Sequence, residues 1–368
     1  MSQETKSDDA ARRPVDAETA FQLIDCDVHA GVNSIDELLP YLPDVWQRYL
    51  RETGFKGPPS SPYPKMKPFA ARDDAHPPSG RLPGSDFQFF QQQHLDHWKI
   101  DRAIINPLYA VDSLPNPDFG AALCSAFNDY MIENWYERDE RMLGSILVPW
   151  RDTELAVREI QRVGDHPQVV QIILFVCAGV LYGQRRFHPI WKAAQQHDLV
   201  VGIHWGSALV PPTATGGAPS YYLEYHTVLA QSAMSQLVSL VCEGVFNKFP
   251  QLRVVMIEGG SAWLPSLMWR LDKDWRGCRM EVPWLTKPPS EYIRSNVRLT
   301  TQPVEEPDDP NHFVQVMEHM GSDEMLLFAT DYPHWDFDSP NQAIPRQVPE
   351  SLRQKIYWQN AVEFYNLR

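Results

Sequence analysis

Eight short runs rich in branched and aromatic residues recur along this chain, at 21–28, 102–106, 142–148, 169–175, 199–204, 252–258, 296–300 and 325–331, separated mostly by segments of helical pattern. Strand alternating with helix builds a parallel sheet. The runs VVQIILF and LRVVMI lack in/out alternation, as strands covered on both faces do. Eight such units predict an α/β chain folded as a closed (β/α)8 TIM barrel. The competing architecture is an open doubly wound sheet, whose dinucleotide-binding version would carry G-x-G-x-x-G after the first strand; no such motif is there.

Helices are predicted over 117–137, 153–163, 187–196, 227–249, 262–274, 311–320 and 349–365, several opening at a cap or an early proline, as at Asp152 and Pro310. Residues 52–84 break the alternation. They carry PPSSPYPKMKP and HPPSGRLPG in a chain that holds 32 prolines, well above the ~5% average share. This Pro-rich insertion follows the first strand on the side where barrel loops build active sites. A lid, a subunit contact and disorder are the alternatives, and its aromatic residues favour an ordered role. The expected organisation is one barrel domain over 20–368 behind a polar, mobile tail at 1–19.

Charge and cysteine content narrow the function classes. Lys plus Arg number 33 against 47 Asp plus Glu, a net charge of −14, which repels nucleic acid and anionic membrane surfaces. The longest apolar runs fall short of the ~20 residues of a membrane span. Cys26, Cys124, Cys177, Cys242 and Cys278 are scattered without a C-x-x-C pair, so neither a disulfide framework nor a thiolate zinc site is indicated. With no apolar secretory stretch near Met1, a cytoplasmic protein acting on a small molecule is expected.

Chemistry-bearing residues gather at strand ends. The first strand closes with Asp25-Cys26-Asp27-Val28-His29, and a period of two would aim Asp25, Asp27 and His29 to one face, where the last two can grip one metal. The fifth run ends at His204, the sixth at Glu258 followed by Gly259-Gly260, and the eighth at Asp331, with His334 and Asp336 just beyond. Each residue alone is equally a satisfied core polar group. Together they occupy the C-terminal ends of strands one, five, six and eight, the face on which barrel enzymes hold catalytic groups. Imidazoles mixed with carboxylates suit Zn, Mn or Fe, and the lack of thiolates argues for an open rather than a closed structural site.

The D-x-D-V-H start, the strand-five His, the segments I-E-G-G-x-A-W-L-P and A-T-D-Y-P-H, and the terminal N-A-V-E-F-Y-N-L resemble the amidohydrolase-related family that includes aminocarboxymuconate semialdehyde decarboxylase and the resorcylate decarboxylases. The resemblance spans residues 22–367. It implies Asp27, His29, His204 and Asp331 as ligands of a divalent transition metal. The better-known decarboxylases often carry His at the sixth-strand position, where this chain has Glu258. A hydrolase would use a metal-bound water, with Asp331 or Glu258 accepting its proton. A decarboxylase would chelate a substrate carboxylate while a nearby acid protonates the carbon that loses CO2. Small organic acids or amides are the substrates either version implies.

Two other classes stay open. Asp25, Glu258, His226, His334 and Asp336 exceed what one metal can use, which would permit a second metal, as in a dinuclear non-heme iron oxygenase. A non-catalytic barrel subunit of a complex is the other alternative. Asn106 and Arg185-Arg186 are candidate binders of a substrate carboxylate, and Trp205, Trp263 and Trp335 are candidate pocket walls. A homodimer is the expected assembly, with a hetero-oligomer as its alternative.

Overall fold

The computed structural model of the protein describes residues 21–58, 63, 66–206, 216–228 and 230–367. The proposed tail at 1–19 lies outside them, as do residues 59–62 and 64–65 of the insertion. Eight parallel strands run β1 (Ile24–Val28), β2 (Arg102–Ile105), β3 (Met142–Leu147), β4 (Val169–Phe175), β5 (Val200–His204), β6 (Val254–Ile257), β7 (Val297–Thr300) and β8 (Leu326–Leu327), neighbours in space as in sequence. The segment after β8 closes the ring on β1: Cys26 N–H donates to Phe328 O (2.9 Å), His29 N–H to Tyr332 O (2.7 Å) and Asp331 N–H to Asp27 O (2.9 Å). The chain is a (β/α)8 barrel.

Inward residues of β1, β2, β3, β5, β6 and β8 fill the cylinder. Ile24, Cys26, Ile104, Leu143, Val200, Val255, Ile257 and Leu327 pack together, and Ala361, Phe364 and Tyr365 of the C-terminal helix join them. That interior burial fixes which residues face the axis. Above the apolar layer sits a polar one. Tyr365 donates its hydroxyl to Gln171 Oε1 (2.8 Å), and Gln171 Nε2 reaches Ser145 Oγ (2.8 Å) and Asn106 Oδ1 (2.8 Å). Gly202 makes room for this layer, since a Cβ there would lie 2.6 Å from Gln171 Nε2.

The helices at Thr153–Val163 and Asn311–Met320 match their predicted spans, and the Asp152 carboxylate caps the former through Glu154 N–H (3.0 Å) and Leu155 N–H (3.1 Å). The single helix predicted over 227–249 is corrected to Tyr222–Val228, Ala230–Cys242 and Val245–Lys248. Gly244 ends the middle one with φ +71°, a conformation glycine adopts without strain. A helix at Asp44–Thr53 and two adjoining stretches at Phe87–Asp96 were not foreseen.

The described part of the insertion is ordered against the barrel mouth. Arg72 N–H donates to Pro333 O (3.0 Å), Trp335 N–H donates to Ala70 O (2.9 Å), and Ala71 pairs antiparallel with His334. Gly84 passes so close to β1 that a Cβ would stand 2.7 Å from the His29 carbonyl oxygen. Among the described residues no helix is long and apolar enough to cross a membrane.

Candidate metal centre

At the C-terminal end of β1 the simple alternation fails. Between Asp25 and Val28 the strand advances three residues while β2 advances from Ala103 to Ile105, so one residue is extra and the backbone bulges. A bulge re-aims side chains. The expected common face of Asp25, Asp27 and His29 is thereby corrected: Asp25 turns outward while Asp27 and His29 turn into the mouth. Asp25 accepts from His94 Nε2 (2.9 Å), Thr330 Oγ1 (2.6 Å), Thr330 N–H (3.0 Å) and Asp27 N–H (3.2 Å). Those four bonds saturate it, so its carboxylate ties β1 to the segment after β8 and has no capacity left for a metal.

Asp27, His29, His204 and Glu258 converge, each able to offer one ligand atom with all four within 4.8 Å of one another. The two imidazoles are oriented from behind. His29 Nδ1–H donates to the Asn106 carbonyl (2.7 Å) and His204 Nδ1–H to the Trp205 carbonyl (2.5 Å), since a carbonyl can only accept. Both Nε2 atoms therefore face the cluster. Asn106, rather than meeting the mouth, lies fully buried beneath it. Its amide donates to Asp27 Oδ1 (2.9 Å) and Cys26 O (3.1 Å), and its Oδ1 accepts from Ser145 and Gln171.

The distances separate hydrogen bonds from something else. His204 Nε2 stands 3.4 Å from both Asp27 Oδ1 and Glu258 Oε2, and His29 Nε2 stands 3.5 Å from Asp27 Oδ1. Two ligand atoms each about 2.1 Å from a shared ion and roughly 100° apart are about 3.2 Å from one another. Asp27 Oδ2, His204 Nε2 and Glu258 Oε2 are all buried without a hydrogen-bond partner. Unpaired buried polar atoms are costly. These residues fit a divalent cation.

A second group shares two members with the first. Asp331 Oδ1 accepts from His29 Nε2 (2.7 Å) and His334 Nδ1 (2.7 Å), and the His29 and His334 rings stand 4.5 Å apart. A third group, His226, Glu258 and Asp336, shares Glu258 with the other two. Glu258 and Asp331 are non-glycine residues at φ +55° and +63°. Such strained backbone is retained where surrounding structure over-determines it, commonly at functional sites.

Charge follows the geometry. Burial alone pushes the Glu258 carboxyl up, and the negative charges of Asp331, Asp336 and Asp27 push it further, well above the ordinary range. Burial would lower His29, but Asp27 and Asp331 outweigh it and hold the imidazole up to about 9. Burial opposes ionisation of Asp331 too, yet the charge of His334 and the hydrogen bonds from His29 and His334 keep its carboxyl well below the usual carboxylate range.

Aromatic rings line one side of the mouth. Trp205 packs on Tyr225 (4.7 Å between ring centres) and His226 (5.1 Å), Trp335 lies 5.6 Å from His226, and Tyr63 of the insertion stacks on Tyr225 at 5.0 Å. Trp263 instead closes the Glu258 turn, its Nε1–H donating to Gly259 O and Gly260 O. Arg185 and Arg186 are exposed on a short turn at Arg185–Phe187, with Arg186 lying over the Phe187 ring.

Three contributors escaped the sequence reading. Gln302, buried just after β7, places Nε2 3.1 Å from Asp336 Oδ2 and 3.4 Å from Asp331 Oδ2. The polar T-T-Q at 300–302, running on from the seventh run, was the available signal. His94 and Tyr222 lie on helical stretches with no local pattern to mark them.

The model of the family described as amidohydrolase matches residues 24–367. In sequence the chain is 25% identical over 261 residues to gamma-resorcylate decarboxylase of Polaromonas sp. (strain JS666 / ATCC BAA-500), across 65% of this chain and 75% of that protein. In structure it resembles 5-carboxyvanillate decarboxylase of Sphingomonas paucimobilis, with a TM-score of 0.67 at 20% identity over 95% of this chain and 100% of that one. It also resembles dihydroxybenzoic acid decarboxylase of Polaromonas sp. JS666, solved with manganese and the inhibitor 2-nitroresorcinol; here the TM-score is 0.65 at 20% identity, over 94% and 97% of the two chains. With a family match running almost from end to end and a barrel that delivers its acids and imidazoles to one mouth, the chain belongs to the amidohydrolase family.

Proposed function

We propose that this amidohydrolase is a divalent-metal-dependent decarboxylase of an aromatic acid that carries an oxygen substituent beside its carboxylate. The observation that carries this reading is the set of orphaned, buried atoms on Asp27, His204 and Glu258 at co-ligand spacing. The decarboxylases among its relatives, one of them solved with manganese, support the reaction type. Asp27, His29 and His204 would hold the ion, with Glu258 and Asp331 beside them. When bound, the metal supplies positive charge that anchors the substrate's carboxylate and neighbouring oxygen.

The remaining work falls to the chain. Trp205, Tyr222 and Trp335 form a wall against which a planar ring can lie and from which water is displaced. Decarboxylation breaks the ring-to-carboxyl bond, leaves its electron pair on the ring carbon and requires a proton there. In this reading His334 delivers it, supported by Asp331, which holds its Nδ1 at 2.7 Å, and by a ring one-fifth exposed that can recharge from solvent.

The test is turnover of 2,6-dihydroxybenzoate and 5-carboxyvanillate by manganese-loaded protein, followed by CO2 release. Turnover that disappears in His204→Ala supports the reading. Fully metallated protein that releases no CO2 from a panel of hydroxybenzoates, yet hydrolyses amides or esters, would overturn it in favour of hydrolysis.

A further inference from the structure

A line of hydrogen bonds runs through the barrel interior from the end opposite the mouth to the metal centre. Tyr365 closes the C-terminal helix Asn360–Tyr365. That helix is pinned at the far end, where Phe364 O accepts from Arg253 Nη1 (2.8 Å) and Asn366 Nδ2 donates to Asp198 (2.9 Å), residues that precede β6 and β5. From there the Tyr365 hydroxyl reaches Gln171 Oε1 (2.8 Å), Gln171 Nε2 reaches Asn106 Oδ1 (2.8 Å), and Asn106 Nδ2 reaches Asp27 Oδ1 (2.9 Å). All of these side chains are buried.

One group fixes the direction of the whole line. Cys26 O can only accept, so the atom of the Asn106 amide that faces it at 3.1 Å, and faces Asp27 as well, must be Nδ2. Asn106 Oδ1 is then turned to Gln171 and Ser145, and both must donate to it. Gln171 presents Nε2 on that side and Oε1 on the other, so Tyr365 has to donate. Burial above all pushes the Tyr365 phenol well up, so it keeps the proton it shares. Every donor along the line therefore points toward Asp27, and hydrogen bonds aligned head to tail strengthen one another. The line ends on the carboxylate oxygen that stands 3.4 Å from His204 Nε2 and 3.5 Å from His29 Nε2.

We propose that Tyr365 is a positioning residue of the metal centre, fixing the Asp27 carboxylate from the opposite end of the barrel through Gln171 and Asn106. This rests on the metal-dependent reading above and extends it to a residue that touches neither ion nor substrate. The Tyr365 ring packs in the interior cluster with Ile24, Val200 and Val255, and its hydroxyl supplies the outermost link. Without that hydroxyl, Gln171 Oε1 is a buried acceptor lacking a donor. The Gln171 amide loses the contact that sets its rotation, and Asn106 loses part of the support that aims Nδ2 at Asp27.

Calorimetric Mn2+ titration of chelator-treated protein tests it. Tyr365→Phe keeps the ring, removes the donor and is expected to raise the Mn2+ Kd about 3–10-fold, less than the roughly 10–100-fold of a group in contact with a ligand. A double-mutant cycle identifies the route: in an Asn106→Ala background, where the line is already cut, the same change should shift Kd by less than about twofold. Phe364→Leu controls for packing, since it loosens the same helix without touching the line; it should lower the melting temperature and leave Kd within about twofold of wild type. A Tyr365→Phe Kd within about twofold of wild type overturns the proposal. So does an equal shift in both backgrounds, or a matching shift in Phe364→Leu, because either places the effect in packing. Turnover does not enter the measurement: protein that binds Mn2+ and releases no CO2 refutes the decarboxylase reading alone, whereas folded wild-type protein that binds no Mn2+ refutes the metal-dependent reading and this proposal together.

Discussion

Asn106→Ala removes a residue that we place beneath the ligands and not among them, which makes it a sharper probe than any ligand. Wild-type Asn106 makes four side-chain hydrogen bonds: two donated, to Asp27 Oδ1 and Cys26 O, and two accepted, from Ser145 and Gln171. Ser145 and Gln171 are also 2.8 Å from each other, so truncation leaves three groups newly without a partner: the Asp27 oxygen, the Cys26 carbonyl and one donor of the Ser145 and Gln171 pair. At about 1–3 kcal/mol for each buried orphan, the sum is several kcal/mol. A water filling the space of the lost amide brings the net loss of stability in metal-free protein to about 3 kcal/mol. The freed Asp27 carboxylate then costs metal affinity roughly 10–100-fold, the usual effect of removing a group that orients a ligand. Urea denaturation of chelator-treated protein and calorimetric Mn2+ titration measure the two quantities. A variant within threefold of wild-type Kd and less than about 1 kcal/mol less stable would refute the account of Asn106 as the support of Asp27.

The other predictions concern neighbouring parts of the site. His204→Ala is expected to weaken Mn2+ binding by more than the roughly 100-fold upper range for such supporting groups, read by the same titration; unchanged affinity would remove His204 from the centre. His334→Asn should retain its metal and lose about 10²–10⁴-fold in turnover, whereas parallel loss of metal would make it a ligand instead of a proton carrier. His29, held up to about 9, carries a proton in the metal-free cluster at pH 7.5; binding must displace it, so affinity falls as pH drops below about 9, tenfold per unit for each proton released. Titrations in buffers of different ionisation enthalpy should register that release, and an affinity independent of pH between 6 and 9 contradicts it. Gly84→Ala places a Cβ 2.7 Å from the His29 carbonyl at φ +71° and should cost about 2 kcal/mol in a denaturation experiment, with unaltered stability showing that the insertion is not pinned there.

Much of the site was legible because barrel geometry makes strand ends meet. His204 ends β5, and Glu258 follows β6 directly, so finding the eight runs was enough to bring these residues to one rim. The direction of individual side chains was less legible. Asp25 and Asp27 differ only in standing before or within a bulge, and that one extra residue sends Asp25 to His94 and Thr330 while sending Asp27 to the mouth. Glu258 offers the same lesson, since its inward turn depends on a positive φ that no propensity indicates for glutamate.

Local pattern therefore determined the architecture, the burial of both strand faces and the identities of the acids and imidazoles at the rim. Period and composition are properties of adjacent residues, and a linear string records them. Tertiary packing alone decided which of those groups share a pocket: His226 and Asp336 are 110 positions apart and touch at 3.1 Å, His29 and Asp331 are 302 apart and touch at 2.7 Å. The second contact arises only when a closed sheet joins its last strand to its first, and no stretch of the chain carries that closure within itself.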